Sequence, residues 1–151
     1  MQHVNRRVTL IVDTVGAFGR QVMLGVAAYV RAQGQWVVAI DPAETLRASL
    51  SHRKVDGIIA QSASREIDRI LSHVRIPAVN VSSRFRASHV PRVINDDRAI
   101  GQMAAEHFLE RGFASFGFVG IPGTYFSGSF FKAVGDRGHP VRVERLWHRG
   151  F

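Results

Sequence analysis

Apolar positions along the chain alternate between short continuous runs and stripes at helical spacing. Val8 to Val12 is a continuous apolar run, which predicts a strand covered on both faces of a sheet. After a polar, glycine-bearing turn, Val22, Val26 and Val30 recur at helical spacing. Gly34 follows this stripe and is expected to end the helix as its C-terminal cap. The opening of the chain therefore predicts one strand and one helix.

The same unit of strand and helix then repeats to the end of the chain. Further strands are predicted at 36–40, 55–60, 78–81, 92–95, 116–120 and 141–146, and further helices around 46–50, 67–74, 100–108 and 129–136. Ser64 is placed to cap the third helix, and Gly112 to end the fourth. Because parallel neighbouring strands need helical crossovers, this alternation predicts an α/β fold with a doubly wound parallel sheet.

Length and composition fit a soluble globular protein. The chain has 151 residues, of which 46% are hydrophobic and 21% charged, and it contains no cysteine. No apolar stretch approaches the roughly 20 residues that span a bilayer, and the first residues do not follow the pattern of a signal peptide. We therefore expect a cytoplasmic protein that does not enter a membrane.

The charge balance raises the possibility of nucleic-acid contact. The chain carries 20 basic and 12 acidic residues, a net charge of +8, and 18 of the basic residues are arginine. Several of these arginines are dispersed on or beside different predicted helices: Arg31, Arg47, Arg65, Arg69, Arg111 and Arg137. This dispersed arrangement favours a solvated basic surface over a concentrated DNA-binding patch.

Polar loops follow the predicted strands at 13–20, 61–64, 82–86 and 95–98. In an open parallel sheet, ligands bind beyond the carboxyl ends of the strands, where these loops lie. The loops carry hydroxyl, amide, carboxylate and guanidinium groups with an aromatic ring, a mixture that suits the hydroxyls and the apolar C–H face of a sugar. The same residue types also cap helices and build turns, so the chemistry alone leaves both interpretations open.

A dinucleotide-binding enzyme of Rossmann type is the first alternative. Gly16 and Gly19 follow the first strand, and Asp41 ends the second, where an acid would bind a ribose. The glycines are spaced G-x-x-G, whereas the fingerprint requires G-x-G-x-x-G. Residues 123–130, GTYFSGSF, imitate the spacing of a phosphate loop, but Ser129 stands where the lysine is needed.

A second alternative is an anion-binding or sugar-phosphate-binding domain that uses Arg84, Arg86 and Arg92. The seven histidines never fall three or four positions apart, so the sequence predicts no helical metal-ligand pair. The G-x-S-x-G elbow of hydrolases is also absent. We therefore expect no metal, no cofactor and no enzymatic activity.

Four segments carry a resemblance to a known family: RQVMLGVAAYV at 20–30, VDGIIA at 55–60, IPAVNVS at 76–82 and VINDDRAIGQMAAEHFLERGFASFGFVG at 93–120. They resemble successive blocks of the lac-repressor-type sugar-sensing domain, which is related to periplasmic sugar-binding proteins. Within that group, the chain is most similar to the xylose-operon regulators of the AraC family, which place the sensor first and a helix-turn-helix at the far C-terminus. The loop AFGRQV at 17–22 resembles the loop of those regulators at this point.

The resemblance implies a periplasmic-binding-protein-like fold of type I. It implies one nearly complete sugar-sensing subdomain at 1–112 and the truncated beginning of a second at 113–151. It also implies a monosaccharide effector, with a pentose favoured, that binds between the two subdomains. The resemblance further implies a homodimer. Contact with DNA is then expected only through a C-terminal domain missing from this chain.

The resemblance also assigns roles by position in the sequence. Phe18 would stack on the sugar, and Arg20 and Asp96 would pair with its hydroxyls. Gln61, Ser62 and Ser83 would complete the near wall of the site. The far wall is expected to be mostly missing.

Overall fold

A computed structural model describes residues 5–62, 64–85, 88–113, 116–121, 123–135 and 141–145 of the protein. The chain forms two compact units: Met1–Ser82 with Ala87–Val93, and Ser83–Arg86 with Ile94–Phe151. The subdomain boundary expected at residue 112 remains a prediction. None of the helices in the described part of the chain is long and apolar enough to cross a membrane.

The first unit contains a four-stranded parallel sheet in the order β2-β1-β3-β4. Its elements are β1 (Arg6–Ile11), α1 (Ala17–Gln33), β2 (Trp36–Ile40), a 3-10 turn (Ala43–Thr45), α2 (Leu46–His52), β3 (Gly57–Ala60), α3 (Arg65–His73) and β4 (Ala78–Asn80). This architecture confirms the parallel α/β fold predicted from the alternation of strands and helices.

Helices cover both faces of this sheet. On one face the core consists of buried side chains from β1, β3, α2 and α3: Ile11, Leu46, Ile58, Ala60, Ile67 and Leu71. Val8 and Leu10 alternate with these side chains along β1 and point to the opposite face. The strand register places Trp36 of β2 on that opposite face, where the Tyr29 ring of α1 lies 4.7 Å from it. The sheet is therefore doubly wound.

Two helix ends in this unit confirm the predicted caps. Gly34 has a φ of 63°, a left-handed conformation that glycine adopts without steric strain, and its N–H donates to the Val30 carbonyl at 2.7 Å. The Ser64 side chain accepts a hydrogen bond from the Ile67 N–H at 3.3 Å. These caps fix where α1 ends and where α3 begins.

The second unit contains α4 (Asp97–Leu109), β5 (Phe116–Gly120), α5 (Tyr125–Gly135) and β6 (Val141–Arg145). Strands β5 and β6 pair in parallel, and α4 packs against α5. Beyond α4, Gly112 has a φ of 78°, and the Phe108 and Phe113 rings meet edge to face at 5.9 Å. The predicted end of the fourth helix near Gly112 is confirmed.

Three predicted elements differ from the structure. Residues 17–22, predicted to form a loop, are the beginning of α1. The strand predicted at 92–95 is a single bridge between Asn80 and Arg92, because the chain passes into the second unit at Ile94. Helix α5 begins at Tyr125 rather than at 129, since the Thr124 hydroxyl donates to the Ile121 carbonyl at 2.8 Å and orders the preceding turn. The last residue of the strand predicted at 141–146 lies outside the described residues.

Candidate functional site

The loops that follow β1 and β3 are joined by a side chain. These two strands are neighbours in the sheet, so their carboxyl ends lie at the same edge. The Oε1 atom of Gln61, just after β3, accepts a hydrogen bond from the Asp13 N–H, just after β1, at 3.0 Å. The polar groups that follow the two strands are therefore held beside each other.

The turn from β1 into α1 is tightly packed. The Oδ1 atom of Asp13 accepts a hydrogen bond from the Val15 N–H at 2.9 Å, an Asx-type turn. A Cβ atom at Gly19 would lie 1.8 Å from the Asp13 carbonyl oxygen, so only glycine fits there. The close approach of the Asp13 backbone explains why residue 19 is a glycine. A pyrophosphate-binding role is not needed to explain it.

Phe18 and Arg20 lie on the first turn of α1 rather than in a loop. Phe18 is 43% exposed, so part of its ring faces solvent, and its stacking on a sugar remains a prediction. The guanidinium Nη1 of Arg20 donates to the Val15 carbonyl, which holds the Arg20 side chain against the β1–α1 turn. Both residues therefore belong to the same edge of the sheet as Gln61.

Ser62 lies beneath this edge. It is 0% exposed, and its hydroxyl donates to the Ser64 carbonyl at 3.1 Å. Its backbone N–H donates to Oδ1 of Asn80 at 3.2 Å. As placed, Ser62 supports the loop after β3 from below, and its direct contact with a sugar remains a prediction.

Ser83 and Asp96 belong to the second unit, whereas Phe18, Arg20, Gln61 and Ser62 belong to the first. Ser83 is half-buried. Asp96 is exposed at the beginning of α4, where its Oδ1 accepts a hydrogen bond from the Ala99 N–H at 2.9 Å. Asp96 is thus the N-cap of α4, and the ligand roles of Ser83 and Asp96 remain predictions.

Asp41, the acid that the dinucleotide-binding alternative requires, is buried and bonded to Arg53. Asp41 is 6% exposed, and its Oδ1 accepts a hydrogen bond from Nη1 of Arg53 at 3.0 Å. Its second carboxylate oxygen is buried without a hydrogen-bond partner in the described part of the chain. This burial gives no support to a ribose-binding role for Asp41.

The three arginines of the anion-binding alternative do not all lie in one unit of the described structure. Arg84 belongs to the second unit and Arg92 to the first, and Arg86 lies outside the described residues. Residues 125–128 of the segment that imitates a phosphate loop are helical rather than extended, because α5 begins at Tyr125. No specific observation in the described structure supports the dinucleotide-binding or the anion-binding alternative.

A buried polar cluster next to the loops after β3 and β4 was not predicted from the sequence. Asn80, the last residue of β4, is 3% exposed and bonds the backbone of the loops after β3 and β4. Ser88 and the buried Asp68 of α3 complete this cluster. An asparagine at the end of an otherwise apolar strand was the available signal, because such a buried amide needs several hydrogen-bond partners.

The fold of the chain is shared with solved proteins of one structural class. The solved structure of a periplasmic binding protein/LacI transcriptional regulator from Alkaliphilus metalliredigens QYMF, complexed with D-xylulofuranose, matches with a TM-score of 0.70. The two chains are 18% identical, and the match covers 97% of this chain and 59% of that one. The fold is therefore that of the periplasmic-binding-protein and LacI type.

Two further comparisons and a family model identify the family. A solved xylose-binding transcription activator, XylR, matches with a TM-score of 0.77 and 25% identity over 96% of this chain and 39% of that one. The xylose operon regulatory protein of Escherichia coli (strain K12) is 32% identical over 124 residues, which cover 77% of this chain and 31% of the relative. The model of the XylR N-terminal domain matches residues 7–96. The chain belongs to the XylR N-terminal domain family, and it spans about a third of the length of the curated relatives it matches.

Proposed function

We propose that this chain is the sugar-sensing part of a DNA-binding transcription regulator and that it binds a pentose at the carboxyl edge of β1 and β3. The observation that carries the proposal is the hydrogen bond between Gln61 Oε1 and the Asp13 N–H at 3.0 Å. It holds the polar loops after two neighbouring strands together, where parallel sheets bind ligands. The names of the relatives support the sugar class, since they refer to xylose and to D-xylulofuranose.

Each side chain at this edge has a distinct part in the proposed site. The exposed Phe18 ring covers the apolar C–H face of the sugar. Arg20 uses one guanidinium nitrogen on the Val15 carbonyl, and its remaining N–H groups donate to hydroxyls. Gln61 donates through its Nε2 while its Oε1 stays on Asp13. Ser83 and Asp96 are proposed as further contacts from the second unit.

The proposed mechanism is ligand linkage rather than catalysis. A sugar that binds one conformation of the regulator more tightly shifts the population toward that conformation by its difference in affinity. The shift is then passed to a DNA-binding element of the regulator that is not part of residues 1–151. In this proposal the regulator acts in the cytoplasm as a homodimer, and it needs no cofactor.

A two-dimensional ¹⁵N–¹H NMR titration of the chain with D-xylose tests the proposal, because it detects weak binding at individual amides. We expect concentration-dependent shifts of the amide signals from Asp13 to Arg20 and of Gln61 and Ser62. L-xylose is the control, since it has the same groups and the opposite configuration. Absent shifts, or equal shifts with both enantiomers, would contradict a sugar site at this edge.

A pair of variants on α1 adds a control within the protein. Phe18→Ala removes the proposed stacking ring, and we expect it to weaken D-xylose binding by about fivefold or more, as for an anchoring aromatic contact. Leu24→Ala removes another exposed apolar side chain from the same helix and should leave the affinity unchanged. Equal effects of the two variants would argue against stacking by Phe18.

A further inference from the structure

We infer that Asn80 is a positioning residue for the sugar site, acting through the backbone of Ser62 and Ser82, an inference that rests on the function proposed above. Asn80 does not face a ligand, since it is 3% exposed. It ends β4 and pairs with Ala60, the last residue of β3. Its side chain therefore lies where the loops after both strands begin.

One side-chain oxygen of Asn80 holds both loops. Oδ1 accepts a hydrogen bond from the Ser62 N–H at 3.2 Å and another from the Ser82 N–H at 2.9 Å. Ser62 directly follows Gln61, whose own side chain is fixed on Asp13. The position of Gln61 therefore depends on an oxygen atom that belongs to the next strand.

The orientation of the Asn80 amide is set from α3. The Ser88 hydroxyl donates its single hydrogen to Oδ1 of Asp68 at 2.7 Å, so toward Asn80 it can only accept. It accepts from Nδ2 of Asn80 at 3.3 Å. Because the amide nitrogen is directed to Ser88, the amide oxygen must point to the two backbone N–H groups. Asp68 thus determines which end of the Asn80 side chain faces the loops.

The backbone of Asn80 ties the same cluster to the segment that carries Ser88. The Asn80 N–H donates to the Pro91 carbonyl at 2.9 Å, and the Val93 N–H donates to the Asn80 carbonyl at 3.0 Å. Asn80, Ser62, Asp68 and Ser82 are all buried, so water does not readily replace a lost partner. The cluster is a continuous chain of hydrogen bonds from α3 to the candidate site.

Amide hydrogen exchange and a D-xylose titration of Ser88→Ala test the inference. The variant leaves Asn80 in place and removes the acceptor that orients its amide. We expect the Ser62 and Ser82 N–H groups to exchange about fivefold faster or more, and D-xylose binding to weaken by a similar factor. Ser88→Thr keeps the hydroxyl and should restore both. Ser72→Ala is the matched control, because its exposed hydroxyl donates its hydrogen to the Arg69 carbonyl on α3 and lies beside the adjacent His73 ring, outside the hydrogen bonds of Asn80.

Asn80→Asp provides a second variant of nearly the same shape. It keeps an acceptor for Ser62 and Ser82 but replaces the donor to Ser88 with a carboxylate oxygen, so we expect faster amide exchange and weaker sugar binding. Unchanged exchange at Ser62 and Ser82 in both variants would overturn the inference whether or not sugar binds. Faster exchange with unchanged D-xylose affinity would also overturn it and leave the proposed function standing. Absence of D-xylose binding by the unmutated chain would overturn the proposed function itself, together with the positioning role.

Discussion

Gly19 and Asp13 approach each other so closely that a Cβ atom on Gly19 would lie 1.8 Å from the Asp13 carbonyl oxygen. This contact presses the first turn of α1 against the loop that leaves β1. It places Phe18 and Arg20, on either side of Gly19, at the edge of the sheet where Gln61 also lies. The geometry of the candidate site therefore depends on the absence of a side chain at one position.

The first prediction is that Gly19→Ala strongly destabilises the chain. The added methyl group overlaps backbone that cannot move without shifting α1, and overpacking of this kind typically costs about 1–3 kcal/mol and sometimes more. Gly25→Ala is the control on the same helix, because nothing lies within 4 Å of its Cβ position. It should stabilise the chain by about 0.5–1 kcal/mol through helix propensity. Urea unfolding measures both, and similar effects of the two variants would contradict the close contact.

The second prediction separates the two ends of the Gln61 amide. Gln61→Ala removes the acceptor for the Asp13 N–H and should lower the free energy of unfolding by about 1 kcal/mol. Gln61→Glu retains that acceptor and loses the Nε2 donor, so it should preserve stability and weaken D-xylose binding. Thermal unfolding and NMR titration distinguish these effects. A Gln61→Glu variant that binds D-xylose as tightly as the unmutated chain would remove Gln61 from the sugar contacts.

The third prediction concerns the dual role assigned to Asp96. Asp96→Ala should cost about 1 kcal/mol of stability, since it removes the N-cap of α4. Asp96→Asn keeps a capping oxygen but removes the charge, so it should be nearly neutral for stability. In a longer version of the regulator, we expect both variants to lose sugar-induced stabilisation. If Asp96→Asn binds pentoses normally in calorimetric titration, Asp96 serves only as a cap.

The fourth prediction is that the chain self-associates. Several large apolar side chains of α4 face solvent, and Met103 is 68% exposed. Met103→Lys should shift sedimentation toward a monomer. Ala48→Lys adds the same charge to an exposed position of α2 and should have little effect. A monodisperse monomer of the unmutated chain at high concentration would refute this prediction.

The fifth prediction is that residues 1–151 bind DNA without sequence preference. The net charge of +8 favours contact with phosphates, and such binding weakens steeply as salt is raised. Sequence-specific binding needs an element that presents several side chains to base edges, and no such element was predicted from the sequence. Footprinting across the range of salt concentrations tests this. A discrete protected operator would show that the chain reads DNA directly.

Much of the fold was predictable because it follows from local patterns. The apolar run of β1 and the capping residues Gly34 and Ser64 predicted elements that the structure contains. The beginning of α1 was not predictable from its glycines, because Gly19 is required by a contact with Asp13 and not by a turn. The strand predicted at 92–95 is reduced to a single bridge at Arg92. The chain leaves the first unit after Val93, and no local pattern in the sequence marks that point.

The placement of polar residues after β1 and β3 at one edge of the sheet was predictable, but their hydrogen-bond partners were not. Polar residues after β1 and β3 were expected at one edge, yet the pairing of Gln61 with Asp13 joins residues 48 positions apart and leaves no local pattern in the sequence. Ser62 has the residue type of a sugar contact, but burial of its hydroxyl depends on the segments packed around it. Asn80 was overlooked because its importance comes from partners in two other segments.

The hydrogen bond from Arg20 to the Val15 carbonyl has a consequence for the entropy of recognition. A free arginine side chain samples many rotamers, and immobilising such a side chain on binding typically costs about 0.5–1.5 kcal/mol. In this protein the turn after β1 already restricts those rotamers when the chain folds. A ligand that meets Arg20 therefore encounters a guanidinium group with fewer accessible orientations, and less of the binding free energy is lost in ordering it. The same restriction favours ligands whose hydroxyls match those orientations over those that would need the side chain to turn.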